Sequence, residues 1–403
     1  MKLGVFELDP FGHHLSYVRL IIEAATEAGY SPVLITSEQV LASEEYQLQL
    51  AHRAPTVEVC RHVLNPRASP WDVAQLKLKA LSSALSRCAV SRVHIPYFDG
   101  LAQAMALNLL QGRRLTHSLP ETDGLVMRGA FAYQHESIRK AFAAWASISA
   151  ICAAPLKRLQ VIDPLFFGAI ASFPRVIQNK FMLLPDPISD LTPVDYRVAR
   201  DQFGISPNAR VIGCVGILDE RKGVDALVRA FAAADLPSTD LLLLAGTTSN
   251  AVRRELETLP SSQRKRVIVS DCYLPIAEID AALSASDLIC LPYPRHIGSA
   301  SIAIRAAAHG KPVLGSNYGW LAHMIPTMSL GWTFEPGSDL NLSRAISTVL
   351  PKALTYRLSE RAKRFVEYSS AENFKSHLIC SWNVTTATDT PRPLVSWSSV
   401  LGA

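Results

Sequence analysis

The stretch from Leu291 to Gly315, LPYPRHIGSASIAIRAAAHGKPVLG, holds the end of one strand, a turn, a helix and the approach to a second strand. Leu288 to Leu291 is a short apolar run closed by Pro292, the pattern of a buried strand end. Gly298-Ser299 reads as a turn whose serine can cap a helix, and Gly310 stands where that helix stops. Lys311-Pro312 then opens the second strand. In a strand-turn-helix unit the first amides of the helix lack a carbonyl partner and carry the positive end of its dipole. A ligand held by Gly298, Ser299, Ala300 and Ser301 is therefore expected to be an anion, a phosphate before any other.

The same alternation runs through the chain. Leu3 to Leu8 reads as a buried strand, Asp9-Pro10-Phe11-Gly12-His13-His14 as a turn, the segment from Tyr17 to Ala25 as an amphipathic helix ending at Gly29, and Pro32 to Thr36 as the next strand. That is the opening βαβ of a doubly wound parallel sheet, whose ligands sit at the carboxyl ends of the strands. Further strands are expected at Arg92 to Ile95, with His94 near its end, at Gly124 to Met127, followed by Arg128, and at Ser147 to Ala153. Pro185, Pro187 and Pro193 mark a linker. A second alternating series starts at Val211 to Gly216 and continues through Leu241 to Ala245, Val267 to Val269 and Leu288 to Leu291, with helices at Val252 to Leu259 and Ile276 to Ala285 between them.

At 403 residues the chain exceeds one ordinary core and suggests about two domains. The expected division is 1–190, 191–370 and a closing helix with a loosely held tail over 371–403. Hydrophobic residues make up 49% and charged residues 19%, a globular composition with ample material for two cores. The net charge of +5 comes from Lys and Arg spread over both halves, which favours anionic ligands or a membrane surface and gives no basic block for nucleic acid. Seven cysteines without a C-x-x-C spacing fit a reducing compartment. No signal-peptide pattern opens the chain and no run of 18 apolar residues occurs in it, so a cytoplasmic protein, with or without peripheral membrane contact, is expected.

Two motifs carry a resemblance to a family. Ala306, Ala308, Gly310, Pro312 and Val313 match the tail of the E-A-x-A-x-G-x-P-V segment of retaining GT-B glycosyltransferases of the group 1 class (family four). In GILDERKGVDALVRAF, Gly216, Lys222, Gly223, Asp225, Leu227, Ala230 and Phe231 fit that family's G-R-L-x-x-x-K-G-x-D-x-L-x-x-A-F pattern. Three departures stand out. Ile297 and Arg305 occupy the places of the two glutamates of the E-x7-E signature, and Ile217 replaces the family's first arginine, with Arg221 nearby on the same loop. The resemblance is detailed over Val211 to Ser347 and topological before that.

The resemblance implies two Rossmann-like α/β domains facing each other across a cleft, the GT-B arrangement, and transfer of a sugar from a nucleotide-activated donor to a glycan, lipid-linked or small-molecule acceptor with retention, as in polysaccharide biosynthesis. The leaving nucleoside diphosphate needs fixed positive potential, which Lys222, Arg221 and the helix amides after Gly298 can supply. No metal or other cofactor is expected, since neither D-x-D nor a His/Cys cluster is present. Lys222, His14 and Arg128 are the candidate catalytic groups. Gly12 and His13 stand where the family has a glycine-rich loop near the donor phosphates, and His94 and His296 are candidates for contact with sugar or acceptor. Each has a structural alternative: Lys222 and Arg221 as a solvated loop, Ser299 as a helix cap, and His13, His14, His94 and Arg128 as packing groups. Arg305 has no acidic neighbour one helical turn away, so it either contacts the donor's ribose or a phosphate, or pairs with a carboxylate distant in sequence. The loss of both glutamates leaves two alternative functions, a fold relative that binds without catalysis and a sugar-nucleotide epimerase.

Overall fold

The structure is a computed structural model and describes residues 1–10, 14–53, 56–60, 69–110, 120–127, 138, 141–142, 145–146, 148–149, 156–383 and 393–402. The chain forms two units, Met1–Pro185 with Ala371–Leu394, and Asp186–Ser370 with Val395–Ala403. The segment 371–403, expected as a closing helix and loose tail, is thus shared out. Helix Ala371–Asn383 belongs to the first unit, where Phe374, Leu378 and Trp382 pack with Leu15, Tyr17 and Leu125, and helix Trp397–Leu401 belongs to the second.

The first unit is one seven-stranded parallel sheet: β1 (Lys2–Phe6), β2 (Ser31–Ser37), β3 (Val57–Cys60), β4 (Arg92–Ile95), β5 (Glu121–Val126), β6 (Arg158–Val161) and β7 (Phe181–Leu183), in the order β3-β2-β1-β4-β5-β6-β7. Apolar runs such as LGVF in β1 are buried along their length, as a sheet covered on both faces requires. The strand expected at 147–153 is not found there: residues 148 and 149 are helical, the rest of that run lies outside the described residues, and the strand beside β5 is Arg158–Val161. An apolar run of that length fits a buried helix as well as a strand.

The second unit repeats the plan with six parallel strands: β8 (Val211–Val215), β9 (Leu241–Ala245), β10 (Val267–Ser270), β11 (Leu288–Leu291), β12 (Val313–Ser316) and β13 (Gly331–Phe334), in the order β10-β9-β8-β11-β12-β13. Helix Val224–Ala233 buries Val224, Leu227, Val228, Ala230 and Phe231, the 3–4 spacing of one helical face, against Ile212, Leu242 and Leu288. In both sheets the chain runs outward from the central strand in one direction, then returns and runs outward in the other. The point of reversal lies between β1 and β4 in the first and between β8 and β11 in the second, and there the loops at the carboxyl ends diverge to leave a crevice.

Candidate functional site

At the reversal point of the second sheet, two loops meet. The loop after β8 makes a short 3-10 turn, Glu220–Lys222, in which the Asp219 carboxylate accepts from the Lys222 amide at 3.0 Å. Gly223 closes the turn at φ +70°, and a Cβ there would lie 2.4 Å from the carbonyl oxygen of Pro292, so only glycine lets this loop rest on the segment that follows β11. That contact brings Lys222 to Tyr293: the ammonium nitrogen is 5.7 Å from the ring centroid, over its face. Lys222 has no hydrogen bond or ion pair to any described side chain, and burial holds its ammonium below the ordinary lysine range. A partly desolvated cation with no ion pair among the described residues is less favourable alone than beside an incoming anion. Arg221 beside it is exposed and faces Asp219 at 3.4 Å.

Beyond Tyr293 the loop is held by its own side chains. The His296 ring lies 5.0 Å from that of Tyr293, and its Nε2–H donates to the Ser299 carbonyl at 2.8 Å. Gly298 has φ +93°, a conformation that side chains resist. Helix Ser301–Ala308 then starts with Ala300 as its N-cap and no side-chain cap. Ser299, expected to cap this helix, instead donates its hydroxyl to Asp186, a buried carboxylate on the segment after β7. The amides of Ser301 and Ile302 fall in the first turn and have no carbonyl of their own helix to bond.

Arg305 corrects the expectation that it contacts the donor. It is 8% exposed, and its Nε and Nη2 reach both oxygens of Asp280 at 2.5 and 2.8 Å, while Nη1 and Nη2 donate to the carbonyls of Ser189 and Asp190 at 2.9 and 3.1 Å. Asp280 also accepts from His309 Nε2 at 2.8 Å and from the Thr192 amide at 2.7 Å. Burial alone would raise the Asp280 carboxyl, but these donors outweigh it and hold it at about 2. The partner that the helix itself could not provide comes from a helix 25 residues earlier, and Arg305 serves to tie the segment 189–192 to the second sheet.

The reversal point of the first sheet is built from Glu7, His14, Lys77 and Tyr97. Glu7 is 2% exposed; one oxygen accepts from the amides of Leu8 and Asp9 at 2.9 Å and from Lys77 at 3.4 Å, and the other faces His14 Nδ1 at 2.9 Å. Burial would raise its carboxyl, but Lys77, the His14 bond and the amides together bring it to about 2. The His14 ring stacks flat on Tyr97, 3.4 Å between centroids at 2°. Glu7 escaped the sequence reading because it fell inside Leu3 to Leu8, read as one buried strand, whereas β1 ends at Phe6 and leaves Glu7 at the strand's carboxyl end. His94, expected at a site, is a core residue: it is fully buried in β4, its ring meets Trp382 edge-on at 6.0 Å, neither ring nitrogen has a hydrogen-bond partner among the described residues, and burial lowers it to about 3. Gly12, His13 and Arg128 lie outside the described residues.

Among the described residues no group of three His, Cys, Asp or Glu side chains is placed to hold a metal ion, and no helix is long and apolar enough to cross a membrane. Residues 209–352 match the family described as "Glycosyl transferases group 1". A D-inositol 3-phosphate glycosyltransferase of Rhodococcus opacus is 27% identical over 214 residues, which are 50% of this chain and 47% of the relative. The match thus spans about half the length of that curated relative. Among solved structures, sucrose-phosphate synthase from Thermosynechococcus elongatus superposes with a TM-score of 0.72 at 19% identity, covering 95% of this chain and 98% of that one. Anabaena HepE in complex with UDP gives 0.68 at 14%, covering 95% and 99%. Residues 209–352, in the second unit, thus carry the sequence signature of the group 1 glycosyltransferases, and the fold of the chain is that of its GT-B neighbours.

Proposed function

We propose that the second unit binds the diphosphate of a nucleotide sugar between Lys222 and the start of helix Ser301–Ala308, and that the protein transfers the sugar to an acceptor hydroxyl. The observation that carries this reading is Lys222: a partly desolvated ammonium with no ion pair among the described residues, at the sheet's reversal point, on the motif shared with the group 1 family. A leaving nucleoside diphosphate develops negative charge as the anomeric bond breaks, and a fixed cation with oriented amides stabilises that charge without reorganising. Catalysis of this kind does not call for a resident metal. The family resemblance supports retention at the anomeric carbon, and the UDP held by Anabaena HepE supports a nucleoside diphosphate as the bound form.

The test is calorimetry with UDP, ADP and GDP, followed by incubation with their glucose conjugates and chiral analysis of any released sugar. The expected result is selective binding of one diphosphate and slow hydrolysis of its sugar conjugate with the anomeric configuration kept. A second reading has its own observation: both signature glutamates are absent and Arg305 is committed to Asp280, which favours a protein that binds without turnover. Tight binding with no hydrolysis or transfer selects that reading, and no diphosphate binding removes both.

The acceptor side has a supporting observation in the first unit. Ile138, Phe142 and Trp145, at helical spacing, are 90%, 67% and 59% exposed, and the rings of Phe142 and Trp145 lie 6.0 Å apart. The sequence of the same segment carries Arg139 and Lys140. Exposed aromatic side chains on a segment whose sequence is basic suit an anionic membrane surface, where a lipid-linked acceptor would be found. Co-sedimentation with phosphatidylglycerol vesicles is expected to fall at least threefold in Phe142→Ser/Trp145→Ser; equal sedimentation of variant and wild type would remove the membrane contact.

A further inference from the structure

At the reversal point of the first sheet, the Glu7–His14 pair fixes more than a charge. The Glu7 carboxyl lies at about 2, so it is ionised, and an ionised carboxylate can only accept hydrogen bonds. The His14 nitrogen that faces it at 2.9 Å, Nδ1, therefore carries the hydrogen of that bond. In the neutral ring this leaves the lone pair on Nε2. An unrestrained surface histidine exchanges between its two tautomers and turns about its side-chain bonds. His14 is held in both respects: Glu7 selects the tautomer, and Tyr97, stacked on the ring at 3.4 Å and 2°, sets the plane in which the Nε2 lone pair lies.

Nε2 itself has no hydrogen bond among the described residues, and it is not one of the buried polar atoms that lack a partner. The His14 side chain is 18% exposed, against 2% for Glu7. His94 makes the contrast, since both of its ring nitrogens also lack a hydrogen bond but are sealed in the core. The His14 ring thus presents an oriented acceptor at the carboxyl end of the sheet, where ligands of this fold type sit. A lone pair repels an anion. Lys77, at 3.4 Å from Glu7, offsets the carboxylate that would draw a cation. A neutral hydrogen-bond donor is what remains, and a hydroxyl is the commonest one.

Resting on the donor-binding reading above, we propose that His14 binds a hydroxyl of the sugar acceptor, a neutral polyol, through Nε2, with Glu7 as the residue that positions the ring. The hydroxyl keeps its proton in this contact, which orients its oxygen. Lys222 then governs affinity for the diphosphate and His14 affinity for the polyol.

Polyol affinity is measured by ligand-observed NMR with myo-inositol, methyl α-glucoside and methyl α-mannoside, in the presence of whichever of UDP, ADP and GDP binds best. His14→Phe keeps a ring to stack on Tyr97 and removes both nitrogens. It is expected to lower affinity for the best polyol at least fivefold with diphosphate affinity within twofold of wild type. Unchanged polyol affinity, equal losses for both ligands, or a wild-type protein that binds a diphosphate and none of the polyols overturns the proposal. The tautomer is read from the ring nitrogens of 15N-histidine-labelled protein at mildly alkaline pH, with His14→Phe assigning the signals by their loss. Hydrogen on Nδ1, a bare Nε2 and an Nε2 signal that moves on adding polyol are expected; hydrogen on Nε2, or a signal that does not move, overturns the proposal even where His14→Phe is poorly folded. Glu7→Gln tests the positioning role, because an amide can either accept from Nδ1–H or donate to a bare Nδ1. A mixture of tautomers with polyol affinity lowered at least threefold is expected, and a single unchanged tautomer removes Glu7 from its role. A wild-type protein that binds none of the three diphosphates fails the donor-binding reading itself, a result distinct from any of these.

Discussion

The two sheets share strand order and reversal point but fill that point in opposite ways. In the first, the buried Glu7 carboxylate is answered by Lys77, His14 and two amides, so the charges at the strand ends are closed among themselves. In the second, the carboxylate of the loop, Asp219, is spent on the Lys222 amide and on Arg221, and the Lys222 ammonium has no hydrogen bond or ion pair among the described residues, only the face of the Tyr293 ring. The fold supplies a crevice in both places. Among the described residues, the charges of the first point are answered by their neighbours and the Lys222 ammonium of the second has no ion pair, which is why the proposed anion is assigned to the second.

The comparison breaks if the second unit has another cation reserved for ligand, and Arg305 is the one to test. Arg305→Glu would set two carboxylates against each other in a buried site, and breaking a buried pair costs about 3–5 kcal/mol. The expected result is a fall in unfolding free energy of that size in urea, with diphosphate affinity of the folded fraction within threefold of wild type. Stability retained with affinity lost would make Arg305 a ligand group and Lys222 one of two.

Most of the second sheet was legible in the sequence because its strands are short buried runs separated by glycine and proline, and because the lysine loop kept its family register over sixteen residues. Its site was legible as a loop but not as a set of contacts. Nothing in SIAIRAAAHG points to Asp280, and nothing in LPDPIS points to Ser299, since both pairings are made by the tertiary fold over large separations in sequence. The first sheet was harder. Ser147 to Ala153 has the composition of a strand and lies partly in helix, because apolar length alone does not distinguish the two. His94 looked functional from its place at a strand end, but its side chain turns to the face that Trp382 covers.

Glu7 sharpens the other half of the comparison. Its carboxyl lies at about 2, below the ordinary 4.5, so its contribution to stability is fully present above about pH 4.5 and is lost as pH falls from there towards 2. For a buried group that difference is on the order of 3 kcal/mol. Glu7→Gln is therefore expected to be less stable than wild type near pH 7 by that order, with the two curves converging as the pH approaches 2. Chemical denaturation at pH 7, 4 and 2.5 reads this directly. A constant gap across the range would mean that the site is held by packing and that its charges are not closed as described.

Lys222 and Arg221 give the smallest effects and the finest distinction, since they are adjacent in sequence and opposite in surroundings. Lys222→Met removes a charge-assisted contact to phosphate, worth about 1.5–3 kcal/mol or one to two decades of diphosphate affinity, and leaves binding of the bare nucleoside unchanged. Its effect on stability runs the other way, because a partly desolvated ammonium with no ion pair among the described residues burdens the free protein, so the melting temperature is expected to hold or rise. The pH dependence has a definite sign. With its proton held less firmly than an ordinary lysine's, Lys222 loses its charge at lower pH, so wild-type diphosphate affinity declines as pH rises through that lowered value while the Met variant stays flat. Arg221 is exposed and screened, and Arg221→Ala is expected to change affinity by less than about threefold. If calorimetry instead found Arg221→Ala the more damaging of the two, the anion would sit on the outer side of the loop, against the exposed guanidinium, and the Lys222 ammonium would have no part in holding it.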